Sequence, residues 1–153
     1  MAEFWAAVMK NVILVTAVTA WAIAQLLKTI TSFWKYEKFD FKRLVGSGGM
    51  PSSHTALVVS LASAVAFHDG LDSSLFAVAV VLACIVMYDA AGVRRAAGKQ
   101  AKVLNKLVKE LKSEHTVHDT RLKELLGHTP LEVLAGALLG IAIAYLFAVV
   151  YGS

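Results

Sequence analysis

The stretch GSGGMPSSHTA, from Gly46 to Ala56, takes the chain from a polar turn directly into an apolar run. Within it, Ser52 and Ser53 are both good helix N-caps. A capped helix start presents backbone N–H groups and the positive end of the helix dipole, and this combination binds anions, phosphate in particular. The stretch therefore predicts a turn followed by a helix, either as a phosphate site with His54 beside it or as a plain capped turn before a buried helix.

The composition of the chain is that of a membrane protein. Apolar residues make up 58% of it, against about 45 to 50% in ordinary soluble domains, and its mean hydropathy is +0.64. The net charge of +4 could suggest nucleic acid, but the charges lie in blocks between apolar runs, which is typical of membrane topology. We therefore expect no nucleic-acid partner. The length suits one domain, residues 1–153.

Four apolar segments are candidates for membrane spans. They are Phe4 to Leu27, His54 to Phe67, Ser74 to Ala91 and Pro130 to Tyr151. The second is shorter than the roughly 20 residues that a span needs, so it either starts below the membrane surface or is shielded by other helices. We predict an all-α integral membrane helical bundle with about four transmembrane helices.

Lysine and arginine are distributed unevenly between these segments. The connection from Lys28 to Ser53 holds five of them and the connection from Arg94 to Thr129 holds nine, whereas residues 68–73 hold none. Short loops rich in Lys and Arg stay on the cytoplasmic side. The pattern predicts a multi-pass protein of the cell membrane, with both basic connections in the cytoplasm.

The second basic connection contains a helical pattern. Apolar residues recur there at helical spacing, with lysines on the other faces: Val103, Leu104, Leu107, Val108 and Leu111. The pattern predicts a basic amphipathic cytoplasmic helix. Three arrangements stay open: the helix lies on an anionic lipid surface, packs over the spans, or pairs with a second copy in a homodimer. His115 and His118 lie close by, but two histidines without further ligands are more typical of a loop than of a zinc site, and we predict no metal.

Chemistry-bearing residues collect at the span ends on the basic side. His128 and Glu132 are four residues apart, so on a helix a carboxylate can orient an imidazole that acts as a nucleophile. His54 can protonate a leaving oxygen. Positive charge for a phosphoryl group in transfer would come from four further residues: Lys42, Arg43, Arg94 and Arg95.

Two of these motifs resemble a known family. The sequence PSSH from Pro51 to His54 and HTPLEVLAGALLG from His128 to Gly140 are similar to parts of the signature of type 2 phosphatidic acid phosphatases (PAP2) and the related vanadium haloperoxidases. The likeness is best to a divergent, reduced membrane branch. The family has glycine where this chain has Ser53, and aspartate where it has Glu132. The resemblance implies His128 as nucleophile, Glu132 as its partner, His54 as general acid, and Ser52 and Ser53 as phosphate contacts.

Residues and resemblance together predict a lipid phosphate phosphatase. It would hydrolyse a phosphomonoester or diphosphate of a membrane lipid through a phosphohistidine, without metal or other cofactor, at the cytoplasmic face. The alternative is a protein that binds or transports a lipid phosphate on the same fold without hydrolysing it.

Overall fold

Every regular element in the described parts of the chain, residues 1–36, 49–111 and 127–152 of the computed structural model, is helical. Within these described ranges, six α-helices and one π-helical turn follow one another: α1 (Ala2–Lys10), α2 (Val12–Tyr36), α3 (Ser53–Asp69), α4 (Ser74–Tyr88), the π turn (Asp89–Val93), α5 (Arg94–Leu111) and α6 (Pro130–Tyr151). The predicted all-α membrane bundle is confirmed, and α5 is the predicted amphipathic helix.

The first apolar segment is not one helix. The predicted span from Phe4 to Leu27 is interrupted at Asn11, whose backbone is extended and whose Oδ1 accepts a hydrogen bond from the Leu14 N–H at 3.0 Å. Asparagine is among the best N-caps, so it ends α1 and begins α2 inside an otherwise apolar run. Helix α2 then continues to Tyr36, which places Lys28 on a helix rather than in a connection.

Helix α3 lies at the centre of the bundle. It packs against α2, α4 and α6, and its buried positions are mostly small: Ser53, Thr55, Ala56, Val58, Ser60, Ala62, Ala64 and Val65. Such a helix needs no long apolar run, because its neighbours cover it. Of the two explanations for the short second segment, shielding by other helices is therefore the one that the packing supports.

Three helical runs are long and apolar enough to cross a membrane, judged by length and composition within the described residues. They are Val12–Thr31, Ser74–Lys109 and Pro130–Tyr151. Large apolar side chains such as Val78, Ile85 and Leu138 are exposed on the outside of the bundle. In a bilayer this outer surface faces lipid, so the apolar exterior agrees with a membrane bundle.

Small residues bring α3 and α6 into backbone contact. Gly136, Gly140 and Ala144 are all buried, at four-residue spacing along α6. A Cβ built on Gly140 would lie 2.7 Å from the Ala56 carbonyl oxygen and 2.9 Å from the Ser60 nitrogen. Glycine permits this close approach, as it does at many helix interfaces in membranes.

We expect Gly140→Ala to destabilise the protein by about 1 to 3 kcal/mol, because the added methyl group meets backbone atoms that cannot move aside. The matched control is Gly92→Ala, since a Cβ at Gly92 would point into open space. Thermal unfolding of both variants in detergent measures the difference. Equal melting temperatures would show that the contact between α3 and α6 is looser than described.

Candidate functional site

His128 and Glu132 meet at the start of α6. Thr129 is the N-cap, and a capping box joins it to Glu132: the Thr129 N–H donates to Glu132 Oε2 at 3.0 Å, and the Glu132 N–H donates to Thr129 Oγ1 at 3.3 Å. The same Oε2 lies 3.1 Å from His128 Nδ1. An ionised carboxylate only accepts hydrogen bonds, so Nδ1 carries the proton and Nε2 carries the lone pair. Glu132 therefore caps the helix and also fixes the tautomer of His128.

The backbone of His128 is held by the π turn. Its N–H donates to the Ala90 carbonyl oxygen at 2.9 Å, and Ala90 is buried within Asp89–Val93. Where a helix changes from α to π register, some carbonyls leave the regular ladder of hydrogen bonds, and such turns are frequent at functional sites. The His128 side chain is only 3% exposed. The π turn thus anchors the residue predicted as the nucleophile.

Ser52 connects the predicted phosphate turn to this pair. Its N–H donates to the Glu132 carbonyl oxygen at 3.0 Å, and its hydroxyl caps α3 by accepting from the Thr55 N–H and, at 3.0 Å, from Thr55 Oγ1. A Cβ on Gly136 would collide with the Ser52 carbonyl oxygen. Ser52 and Ser53 are both buried. The starts of α3 and α6, widely separated in sequence, therefore form one end of the bundle.

Lys28 is part of the same site, and sequence reasoning missed it. It is 5% exposed, and it lies within electrostatic range of Glu132. Its aliphatic stem lies against Gly49, where a Cβ would come within 3.2 Å of Lys28 Cγ and Cε. Gly49 has a φ of +96°, a conformation that favours glycine. One turn further along α2, Thr31 Oγ1 donates to the Met50 carbonyl oxygen at 2.8 Å, so α2 and the turn before Pro51 pack together.

A signal for Lys28 is present in the sequence. Ala20 and Ala24 are fully buried on α2, and Lys28 follows at the same four-residue spacing. Residues four apart share a face of a helix. A lysine that continues a line of small residues is therefore expected on the packed face. By composition alone, however, it looks like one of the basic residues that mark the cytoplasmic end of a span.

For most of the remaining predicted residues, the structure gives a position along the chain. His54 lies on the first turn of α3 and is exposed, while its neighbours Ser53 and Thr55 are buried. Arg94 and Arg95 open α5 directly after the π turn, and the description of this helix covers their backbone only. Lys42 and Arg43 lie outside the described residues. The structure thus brings together Ser52, Ser53, His128 and Glu132, and adds Lys28.

Comparison with known proteins agrees with the motifs. A family model described as "Divergent PAP2 family" matches residues 9–143. The chain belongs to this divergent PAP2 family. It is also similar to the uncharacterized membrane protein YuiD of Bacillus subtilis (strain 168), with 43% identity over 149 residues, which cover 90% of this chain and 94% of that protein. No solved structure matches the chain significantly.

The match to the divergent PAP2 family contains the whole site. Residues 9–143 run from the start of the bundle through Lys28, the PSSH turn and the His128–Glu132 pair. The divergent PAP2 protein therefore carries its candidate site within the matched region, at the end of the bundle where α2, α3, the π turn and α6 come together.

Proposed function

We propose that this membrane protein is a lipid phosphate phosphatase that works through a phosphohistidine on His128. The observation that carries the proposal is the 3.1 Å contact between His128 Nδ1 and Glu132 Oε2, in a buried setting where Lys28 lies within electrostatic range of the carboxylate. A histidine with its tautomer set by a carboxylate is a nucleophile with its orienter. When protonated, the buried amine of Lys28 would offset the negative charge on a phosphoryl group.

The reaction follows from these groups in two steps. Nε2 of His128 attacks phosphorus, the N–P bond forms, and the P–O bond to the lipid breaks while His54 gives its proton to the leaving oxygen. A water molecule then attacks the phosphohistidine, His54 takes its proton, and phosphate leaves with the electron pair of the N–P bond returned to Nε2. Glu132 stabilises the positive charge on the imidazole ring. Every group in the scheme belongs to the chain or to water, so it needs no metal or other cofactor.

Phosphate oxygens would be held by a set larger than the sequence predicted. Lys28 joins Lys42, Arg43, Ser52, Ser53, Arg94 and Arg95. Arg94 lies only four residues after Ala90, the residue that anchors His128. The N-terminus of α3 adds backbone amides and the positive end of its dipole.

Glu132→Gln separates catalysis from capping. Glutamine also forms capping boxes, so the helix start and the hydrogen bond to Nδ1 can persist while the charge is lost. We expect the rate to fall by about 10²-fold with little change in thermal stability. Thr129→Ala is the matched control: it removes the cap, at a cost of about 1 kcal/mol, and leaves the carboxylate. An unchanged rate in Glu132→Gln would remove the carboxylate from the mechanism.

The loss of rate in His54→Ala should depend on the leaving group of the substrate. With a lipid ester, the variant lacks the acid for the alkoxide, and we expect a loss of about 10²- to 10⁴-fold. With p-nitrophenyl phosphate the leaving group needs no proton, so much of the rate should return. Equal losses with both substrates would show that His54 does not act as the general acid.

The exposure of His54 favours a second candidate function. A general acid must lie within hydrogen-bond reach of the leaving oxygen, and an exposed His54 is not enclosed in the site with the buried His128. In that case the site binds or transports a lipid phosphate without hydrolysis. Phosphate release by the purified protein, measured on a panel of lipid phosphates with chelator present, separates the two. Release supports the phosphatase, whereas saturable binding without release supports the second candidate.

The proposal places the protein in the cell membrane with its site on the cytoplasmic face. Its basis is the run of lysines and arginines in the connections that flank the site, because such loops stay inside. The substrate would then be a lipid phosphate of the inner leaflet.

A further inference from the structure

Helix α5 carries two adjacent stripes of different chemistry. Four lysines, Lys99, Lys102, Lys106 and Lys109, fall within an arc of about 80° of the helix, taken at 3.6 residues per turn. Beside them, Val103, Leu104 and Leu107 cover a neighbouring arc of about 100°. These three apolar side chains are 58%, 48% and 49% exposed. A charged stripe beside an exposed apolar stripe is typical of helices that lie at a membrane interface.

The exposed stripe is not the side on which α5 rests. Gly98 and Ala101 are buried and lie on a different side of the helix from Val103, Leu104 and Leu107. Within the described parts of the chain, α5 makes few contacts with any element other than the π turn, which runs directly into it. Packing over the spans, one of the three arrangements that the sequence left open, therefore leaves the apolar stripe uncovered.

The position of α5 along the chain allows it to lie at the membrane surface. The apolar helix α4 ends at Tyr88, and α5 begins after the π turn. Sharp bends in helices occur at such π-helical insertions, so the turn provides a place where the chain can pass from crossing the bilayer to lying along it. The first lysines of α5 then lie at the level of the lipid headgroups.

We propose that α5 docks on an anionic lipid surface, with Val103, Leu104 and Leu107 in the headgroup boundary and the lysine stripe on the lipid phosphates. Charge decides between this surface and a second copy of the chain. Helix α5 has six basic residues and a single acidic one, Glu110. Two copies facing each other through the apolar stripe would bring their lysines together, whereas an anionic bilayer attracts them. Each lysine near such a surface favours docking about fivefold.

A probe on the apolar stripe tests the proposal in the full-length protein. In a Cys84→Ser background, Leu104→Cys is labelled with an environment-sensitive fluorophore and reconstituted at one copy per nanodisc. Discs contain phosphatidylcholine alone or with phosphatidylglycerol, and some of the lipids carry a nitroxide quencher. We expect strong quenching in the anionic discs, weaker quenching in the zwitterionic ones, and a decrease as salt is raised.

A triple variant gives the charge dependence. Lys102→Gln, Lys106→Gln and Lys109→Gln together should weaken docking about 100-fold, read from the fraction of anionic lipid needed for half-maximal quenching. The matched control replaces the same three lysines with arginine and should dock normally. The same quenching in all lipids and variants, or none in any, would overturn the proposal. So would quenching or a spectral shift that needs two copies in one disc, since the occupant would then be a second chain. None of these readouts depends on hydrolysis, so they stand apart from the proposed phosphatase activity.

Discussion

Replacing His128 with alanine is expected to reduce phosphate release from lipid phosphates by at least about 10⁴-fold, because the variant lacks the atom that forms the covalent intermediate. The capping box between Thr129 and Glu132 does not involve the imidazole ring, so α6 should still begin at the same place. Release of inorganic phosphate, followed in detergent with a single lipid phosphate, measures the effect.

His68→Ala is the matched control for this variant. His68 is also a histidine beside a carboxylate, 3.0 Å from Asp69, but it lies at the other end of α3 and is half exposed. We expect it to keep the rate of the unaltered protein. A His128→Ala variant that hydrolyses lipid phosphates at that same rate would contradict the assignment of the nucleophile.

Replacing Lys28 with methionine is expected to lower kcat/KM by about 10²- to 10³-fold, the usual effect of removing one preorganised group that stabilises the transition state. Methionine keeps the apolar stem that packs on Gly49 and removes only the charge. Glu132 loses a neighbouring cation but keeps its hydrogen bonds to Thr129 and His128. The loss should therefore appear in activity far more than in the melting temperature.

Lys10→Met is the control for Lys28→Met, because it removes the same charge from an exposed position at the end of α1. It should leave the rate unchanged. If Lys28→Met also hydrolyses at the full rate, the buried lysine serves the packing of α2 and not the phosphate. The phosphate would then be held by the arginines and the α3 N-terminus.

Local chemistry explains what the sequence could predict. Ser52 caps α3 through its own hydroxyl, and His128 and Glu132 meet because residues four apart share a helix face. Gly136, Gly140 and Ala144 are buried along one face of α6, as their four-residue spacing implies. Each of these features depends on residues within one turn or one helix face, so the pattern alone contains them.

The features that sequence reasoning missed depend on tertiary contacts or on local detail hidden in an apolar run. Lys28 is buried because a distant turn at Gly49 packs on its stem. The π turn is distinguished by backbone register, and its Ala90 carbonyl is used by a residue far along the chain. Asn11 ends a helix inside a segment whose overall hydrophobicity suggests continuity. The predicted roles of the site residues in catalysis and phosphate binding, those of Lys42 and Arg43 included, stay predictions.

One measurement tests the phosphohistidine most directly. The purified protein is mixed with a lipid phosphate labelled in its phosphoryl group, with chelator present, and quenched in alkali within the first turnovers. Alkali preserves a phosphoramidate, and peptide mapping by mass spectrometry then locates the label. We predict that the label lies on His128 and that it disappears on acid treatment and in His128→Ala. Steady release of phosphate with no label on His128 at any time, or label on another residue, would contradict the proposed mechanism.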